Sequence, residues 1–343
     1  MMSKILFECY VHLVSDVAFA SAVVGRMNNQ SQKSIRFHSW SRATPFPRRI
    51  VMAAARFYPK FDVSDAASVV TDVDLLVAPA PGACGNAGQL ACDILALNWN
   101  LRRVGAIDFE HVAPVVGRDA LYDEDGDGCA EASPAGSIAM ACEVYAGLVK
   151  LASDAAKEEF LRVVVLQIRS DANVGGRRAF CREYVDFLMT FGDAKRVVLA
   201  SSLPSTYGAS EAQIGGTKLR CARGDSTFRA MCGAAEVREM ESNIKLPDEE
   251  MAESVDPHWA LVDTLNGRDA EERVGCVLAV CSEGDNSADG AAVALAIARS
   301  CGVKIEEPHA DSKVPVTYIG PWRVPRSWEM AFGMQPVNRD MYY

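Results

Sequence analysis

Val163-Val164-Val165-Leu166 is an unbroken apolar run inside Arg162 to Ile168. It is short and rich in β-branched side chains, so it reads as a strand with both faces covered. A strand buried on both sides needs a layer of packing on each side of its sheet, and this requirement narrows the fold more than any other feature of the chain. The pattern recurs. Leu75 to Ala78, Val104 to Phe109, Arg196 to Ala200 and Cys276 to Val280 read as further strands, and the alternating segment Val144 to Val149 is expected to pair with Arg162 to Ile168. Between them lie helical stretches: Asn86 to Trp99, with Leu90, Ala91, Ile94 and Leu95 on one stripe; a second marked by Phe180, Tyr184, Phe187 and Leu188; and a third over Ala288 to Arg299. Such alternation predicts an α/β fold, a three-layer sandwich with a mostly parallel central sheet.

Two segments depart from the pattern. Tyr122 to Ser137 is acidic and glycine-rich and reads as a loop. Ser205 to Arg273 is mixed and polar, with a helix expected near Phe228 to Glu241. No linker or repeat interrupts the chain, so 72–333 is expected to form a single α/β domain. Residues 1–51 read as a disordered extension or an over-long start, and 334–343 as a flexible tail.

Charge narrows the function classes. The chain has a net charge of -10, against a nucleic-acid surface, although 1–51 carry seven Lys/Arg against two Asp/Glu. Eleven Cys occur singly with no C-x-x-C pair, which suits buried thiols in a reducing cytoplasmic or nuclear compartment better than disulfides or zinc. The apolar stretch from Tyr10 to Val24 contains His12 and Asp16 and is too short to span a membrane.

Several stretches invite a chemical reading. Gly85-Asn86-Ala87-Gly88-Gln89 lies between a strand and a helix, where α/β proteins hold phosphate. It lacks the Lys-Ser/Thr of a P-loop, and Asn86 with Gln89 has the spacing of a capping box, the preferred role. Ser282-Glu283-Gly284-Asp285-Asn286 repeats the arrangement after the last strand, with Asn286 placed to cap and Asp289 at the third helical position. Asp123, Asp125, Asp127 and Gly128 imitate the start of a calcium loop, but Pro134 stands where an EF-hand needs a carboxylate. The five His are not spaced as metal ligands, Ser201-Ser202 has no identifiable catalytic partner, and Arg223-Gly224-Asp225 is taken as a chance tripeptide. No catalytic residue, metal or cofactor is expected. Trp322, Pro325 and Trp328, among Pro and Arg, suggest a segment that docks its rings on the body or on a partner; closure of the core is the equal alternative.

The chain ends Met341-Tyr342-Tyr343. A free carboxylate, a Tyr ring with its hydroxyl and an apolar side chain make a three-point plug, able to pair with a Lys and fill a pocket.

Taken in order, these stretches resemble the proteasome assembly chaperone two family. The matching residues are Val77-Ala78-Pro79, Gly85 to Ala91 with Asp93, Val104-Gly105, Pro114-Val115-Val116-Gly117, Ser282 to Asn286 with Asp289, and Trp322 to Trp328 with Phe332-Gly333. Residues 204–273 show little that matches. The resemblance implies a non-enzymatic chaperone of proteasome core-particle assembly. It would pair with assembly chaperone one as a heterodimer on the α subunits of the ring, favour correct ring formation and block premature or off-pathway dimerisation, with no nucleic acid or membrane involved. It also implies that Met341, Tyr342 and Tyr343 form a hydrophobic-Tyr-any tail that enters pockets between α subunits. The rival reading is an enzyme of the phosphorylase or hydrolase type, whose layering this fold shares, with phosphate at Gly85 to Gln89.

Overall fold

Leu75 and Leu76 are neighbours in the chain and belong to different cores. In this computed structural model, which describes residues 55–60, 66–121, 138–152, 158–205, 217–240, 261, 265, 273–282, 284–305, 318–325 and 327–328, the strand alternation deals side chains to opposite faces of one sheet.

In chain order the elements are β1 (Arg56–Pro59), α1 (Ala66–Val69), β2 (Leu75–Pro79), α2 (Ala87–Asn98), β3 (Arg102–Asp108), β4 (Val116–Arg118), β5 (Ile138–Met140), β6 (Cys142–Lys150), β7 (Phe160–Ile168), α3 (Arg177–Thr190), β8 (Arg196–Pro204), β9 (Leu219–Arg223), α4 (Ser226–Ala234), β10 (Arg238–Glu239), β11 (Val274–Cys281), α5 (Ser287–Ser300), β12 (Tyr318–Ile319) and β13 (Trp322–Arg323). Nine strands form the main sheet in the order β1-β3-β6-β7-β2-β8-β11-β9-β10. Its centre, β7-β2-β8-β11, is parallel throughout. β6 pairs with β7 antiparallel, in register from Cys142↔Ile168 to Lys150↔Phe160, and β1, β3 and β9 also join antiparallel.

On one face, Leu76, Val164, Leu166, Val197 and Leu199 pack against Phe180, Tyr184, Phe187 and Leu188 of α3. Phe109 meets Phe180, Tyr184 and Phe187 edge-on at 5.4–5.8 Å between ring centroids, and the Tyr184 hydroxyl donates to the Pro79 carbonyl (2.8 Å). On the other face, Leu75, Val77, Val163, Val165, Val198 and Val277 pack against α2, α4 and α5. The three-layer α/β sandwich is therefore present. Parallel pairing is confined mainly to the centre, because β6 and β7 follow one another closely and fold back as neighbours.

The structure corrects several expectations from sequence. The helix expected over Phe228 to Glu241 ends at Ala234, where Glu236 takes a left-handed φ of 63° and the chain enters β10. Arg223-Gly224-Asp225 is the turn into that helix: Gly224 has φ +80° and Asp225 Oδ1 caps by accepting from the Phe228 amide (2.6 Å). β9 arises in a segment that shows no strand pattern, and β1 lies upstream of residue 72, where the domain was expected to begin. The acidic loop at Asp123 to Gly128, Pro134 and residues 1–51 fall outside the described residues.

Candidate interaction site

The loops that leave β2 and β11 emerge from the carboxyl ends of parallel strands, the position at which α/β sheets most often hold ligands. Here the loops hold one another. A Cβ on Gly85 would lie 1.9 Å from Asn286 Nδ2, and Asn286 is buried. The Cys84 carbonyl accepts from Ser202 Oγ (2.7 Å) and Cys281 Sγ (3.5 Å). Ser201 and Ser202 are both buried, and Ser202 serves this contact. Gly88 opens α2 against the sheet so closely that a Cβ would meet the Ala200 carbonyl oxygen at 2.3 Å.

Capping differs from expectation. Asn86 stands at the N-cap of α2 but has a left-handed φ of 56° and makes no side-chain cap bond. Gln89 Oε1 is buried without a hydrogen bond, while the Gln89 backbone carbonyl accepts from Gln167 Nε2 (2.8 Å). At α5 the capping oxygen comes from Asp285, not Asn286: Asp285 Oδ1 accepts from the Ser287 amide (3.0 Å) and hydroxyl. Asn286 Nδ2 donates to the Gly284 carbonyl instead (3.0 Å). Asp289 lies in the first turn of α5, as its charge favours. Glu283 lies outside the described residues.

Trp322, Pro325 and Trp328 are turned inward. All three are buried, and both Trp rings join the α2–α5 core. Trp322 Nε1 donates to the Ala291 carbonyl (3.0 Å). The Asn98 amide clamps the Arg323 backbone on both sides, donating to its carbonyl (2.9 Å) and accepting from its N–H (2.9 Å). Ser327 Oγ donates to the Ala120 carbonyl (2.8 Å), which ties this last segment to the end of β4. Trp328 is the last described residue; Met341, Tyr342 and Tyr343 lie beyond it.

Sequence reasoning missed a buried ionic cluster. Arg169 grips Asp93 with two nitrogens (2.8 and 3.1 Å) and reaches Glu143 Oε2 with its Nε (3.4 Å). Glu143, fully buried, also accepts from Arg103 Nη1 (2.7 Å), the Tyr145 hydroxyl (2.9 Å) and the Met140 amide (3.2 Å). Arg103 Nη1 lies 3.3 Å from buried Asp119. Burial works against the Arg169 charge, but Asp93, Tyr145 and Glu143 together outweigh it and hold the guanidinium well above its usual range. Burial, helped by Glu143, pushes the Tyr145 hydroxyl well up, so it serves as a neutral donor. The three carboxylates are engaged from inside the fold, and their chemistry is the joining of α2, β3, β6 and β7. Glu143 and Gln167 as polar residues inside apolar strands were the available signal; Arg103 and Asp119 gave none.

The cluster roots a two-stranded ribbon, β4–β5, that stands apart from the main sheet. Register places Val116 opposite Met140 and Arg118 opposite Ile138. Val116, Ile138 and Met140 share one face with Arg118 and are 59%, 56% and 44% exposed, while Ala139 on the other face is buried.

These features define a three-layer α/β protein whose strand-end loops are committed to packing. A family model described as the PAC2 family matches residues 76–295, from β2 into α5, and the chain belongs to that family. Among curated relatives, proteasome assembly chaperone 2 of Bos taurus is 28% identical over 257 residues, 73% of this chain and 88% of that one. Its counterpart in Danio rerio is 28% identical over 266 residues, covering 75% and 91%. Solved structures with a related course include Pyrococcus furiosus PbaA, an archaeal homolog of proteasome-assembly chaperone (10% identity, TM-score 0.45, covering 74% of this chain and 88% of that one). Another is Pyrococcus furiosus PbaB, an archaeal proteasome activator (13% identity, TM-score 0.46, covering 74% and 92%).

Proposed function

We propose that this chain is a non-enzymatic chaperone of proteasome core-particle assembly. It works as a heterodimer with an assembly chaperone one subunit, on the outer face of the α-ring, in the cytoplasm and nucleus. There it favours correct ring formation and blocks premature or off-pathway dimerisation. The observation that carries this reading is the family match through residues 76–295, with relatives named as proteasome assembly chaperones. The locking of Gly85 by Asn286 supports it, since it commits the loop that an enzyme of this layering would offer to phosphate.

The folded pair supplies position and the carboxyl terminus supplies retention. Met341, Tyr342 and Tyr343 form the plug for a pocket between α subunits. Residues 333–340, between the buried Trp328 and the plug, act as its tether. A tethered plug has an effective concentration in the millimolar range once the body docks, so weak contacts multiply. The test is co-expression of 52–343 with the partner subunit and capture of purified core particle, with and without Met341-Tyr342-Tyr343. Capture that falls at least about tenfold on truncation is expected. A soluble heterodimer that captures no core particle overturns the reading.

A further inference from the structure

Seven of the nine described cysteines lie in the two apolar cores. Burial pushes four of these, Cys142, Cys181, Cys276 and Cys301, up to about 12, so their thiols stay protonated and inert. The remaining two, Cys84 and Cys281, are buried but belong to neither core, and they face each other.

The contact is reciprocal. Cys281 Sγ reaches the Cys84 carbonyl (3.5 Å) and Cys84 Sγ reaches the Cys281 carbonyl (3.9 Å). Each sulfur lies against the other residue's backbone, so rotation of the two side chains about Cα–Cβ brings sulfur to sulfur. The two backbones are held at this spacing from separate directions. Ser202 Oγ donates to the Cys84 carbonyl (2.7 Å), the Ser205 amide donates to the Cys281 carbonyl (2.8 Å), and Cys281 sits in register opposite Pro204. Next to Cys84, Gly85 is covered by Asn286. The pair therefore bridges the seam between the loop after β2 and the end of β11, at a sequence separation of 197.

We infer that Cys84 and Cys281 form a disulfide when the protein meets a peroxide, a covalent clasp over the seam that Gly85 and Asn286 close by packing. Cys84, the more exposed of the two (6% against 2%), takes the oxidant. Its sulfur gives up its proton and attacks one peroxide oxygen. The O–O bond breaks, the sulfur becomes a sulfenic acid, and the departing hydroxide takes up the proton as water. Cys281 Sγ then attacks the sulfenic sulfur; the S–O bond breaks, and the hydroxyl leaves with the Cys281 proton as a second water. The two thiols lose two electrons and the peroxide gains them. A thiol reductant reverses the bond. Closing so long a loop restrains the unfolded chain far more than the folded one, so the oxidised form resists unfolding. The clasp needs no partner and goes beyond the proposed chaperone role.

The test uses the full chain, purified with its thiols reduced. It is treated with a small excess of hydrogen peroxide, blocked with N-ethylmaleimide, digested and mapped by mass. Two peptides joined through Cys84 and Cys281 are expected, with the core cysteines carrying the blocking group. The thermal midpoint is expected to rise by about 5 °C on oxidation and to return with dithiothreitol. Cys84→Ala and Cys281→Ala are each expected to lose that rise. The mapping needs no variant, so it decides the question even where a variant fails to fold. Cys84 recovered as a blocked thiol, or as a sulfinic or sulfonic acid, overturns the inference, and so does Cys84 joined to any other cysteine of the same or a second chain. A Cys84–Cys281 bond that leaves the midpoint unchanged or lowers it overturns the clasp.

Discussion

The Asn286 carboxamide lies over Gly85 so closely that a Cβ there would meet Nδ2 at 1.9 Å. The two residues belong to loops that follow β2 and β11, and their contact fixes the starts of α2 and α5 relative to each other. Gly85 also has φ +56°, a region that side chains enter only at a cost.

Gly85→Ala is expected to lower stability by about 1–3 kcal/mol, from backbone strain and from the displaced, buried Asn286. Urea unfolding should show a lower midpoint with unchanged slope. Adding Asn286→Ala should cost less than its effect alone, because the steric part is relieved. Strict additivity in that cycle would show that the contact does not matter.

Arg169→Met leaves Asp93 and Glu143 buried with fewer partners. A loss of about 3 kcal/mol is expected, since removing one partner of a buried pair strands the other charge. Denaturant unfolding measures it, and a change below about 0.5 kcal/mol would place the cluster among ordinary surface pairs.

Asp74 gives an acid-side signature. Burial raises its pKa, but the Lys195 ammonium (2.6 Å) and the Arg162 amide (2.9 Å) outweigh burial and hold the carboxyl below its usual value. A group depressed in the folded state contributes stability above its unfolded pKa and loses it as pH falls through the folded one. Asp74→Asn is therefore expected to leave a flatter stability profile below about pH 4. Stability measured from pH 6 to 2 checks it; identical profiles for variant and parent would refute it.

Trp322 separates packing from hydrogen bonding in the closing segment. Trp322→Ala empties a buried site and is expected to cost about 3–5 kcal/mol. Trp322→Phe keeps most of the ring but loses the bond to the Ala291 carbonyl, at about 1 kcal/mol plus a packing term. Thermal unfolding ranks them, and equal effects would assign the whole contribution to the indole N–H.

The sequence by itself determined the layers. Apolar runs such as Val163 to Leu166 read as strands covered on both faces, the stripes in Asn86 to Trp99 and Ala288 to Arg299 give the helices that cover them, and the ordered blocks from Val77 to Gly333 carry the family. These signals are local, set by periodicity along the chain. What only the tertiary structure decided depends on partners far apart in sequence. Asn86 and Asn286 have capping chemistry, yet the meeting of their loops turns one left-handed and uses the other to cover Gly85. Glu143 is legible as a polar residue in a strand, but its bonds to Arg103 and Arg169 exist only once β3, β6 and β7 are side by side. Val116 to Arg118 is too short to show a period, and its pairing with Ile138 to Met140 brings together an apolar row that neither segment contains alone. Hydrophobic periodicity reports the environment of a residue's own element, and the contacts between elements belong to the folded chain.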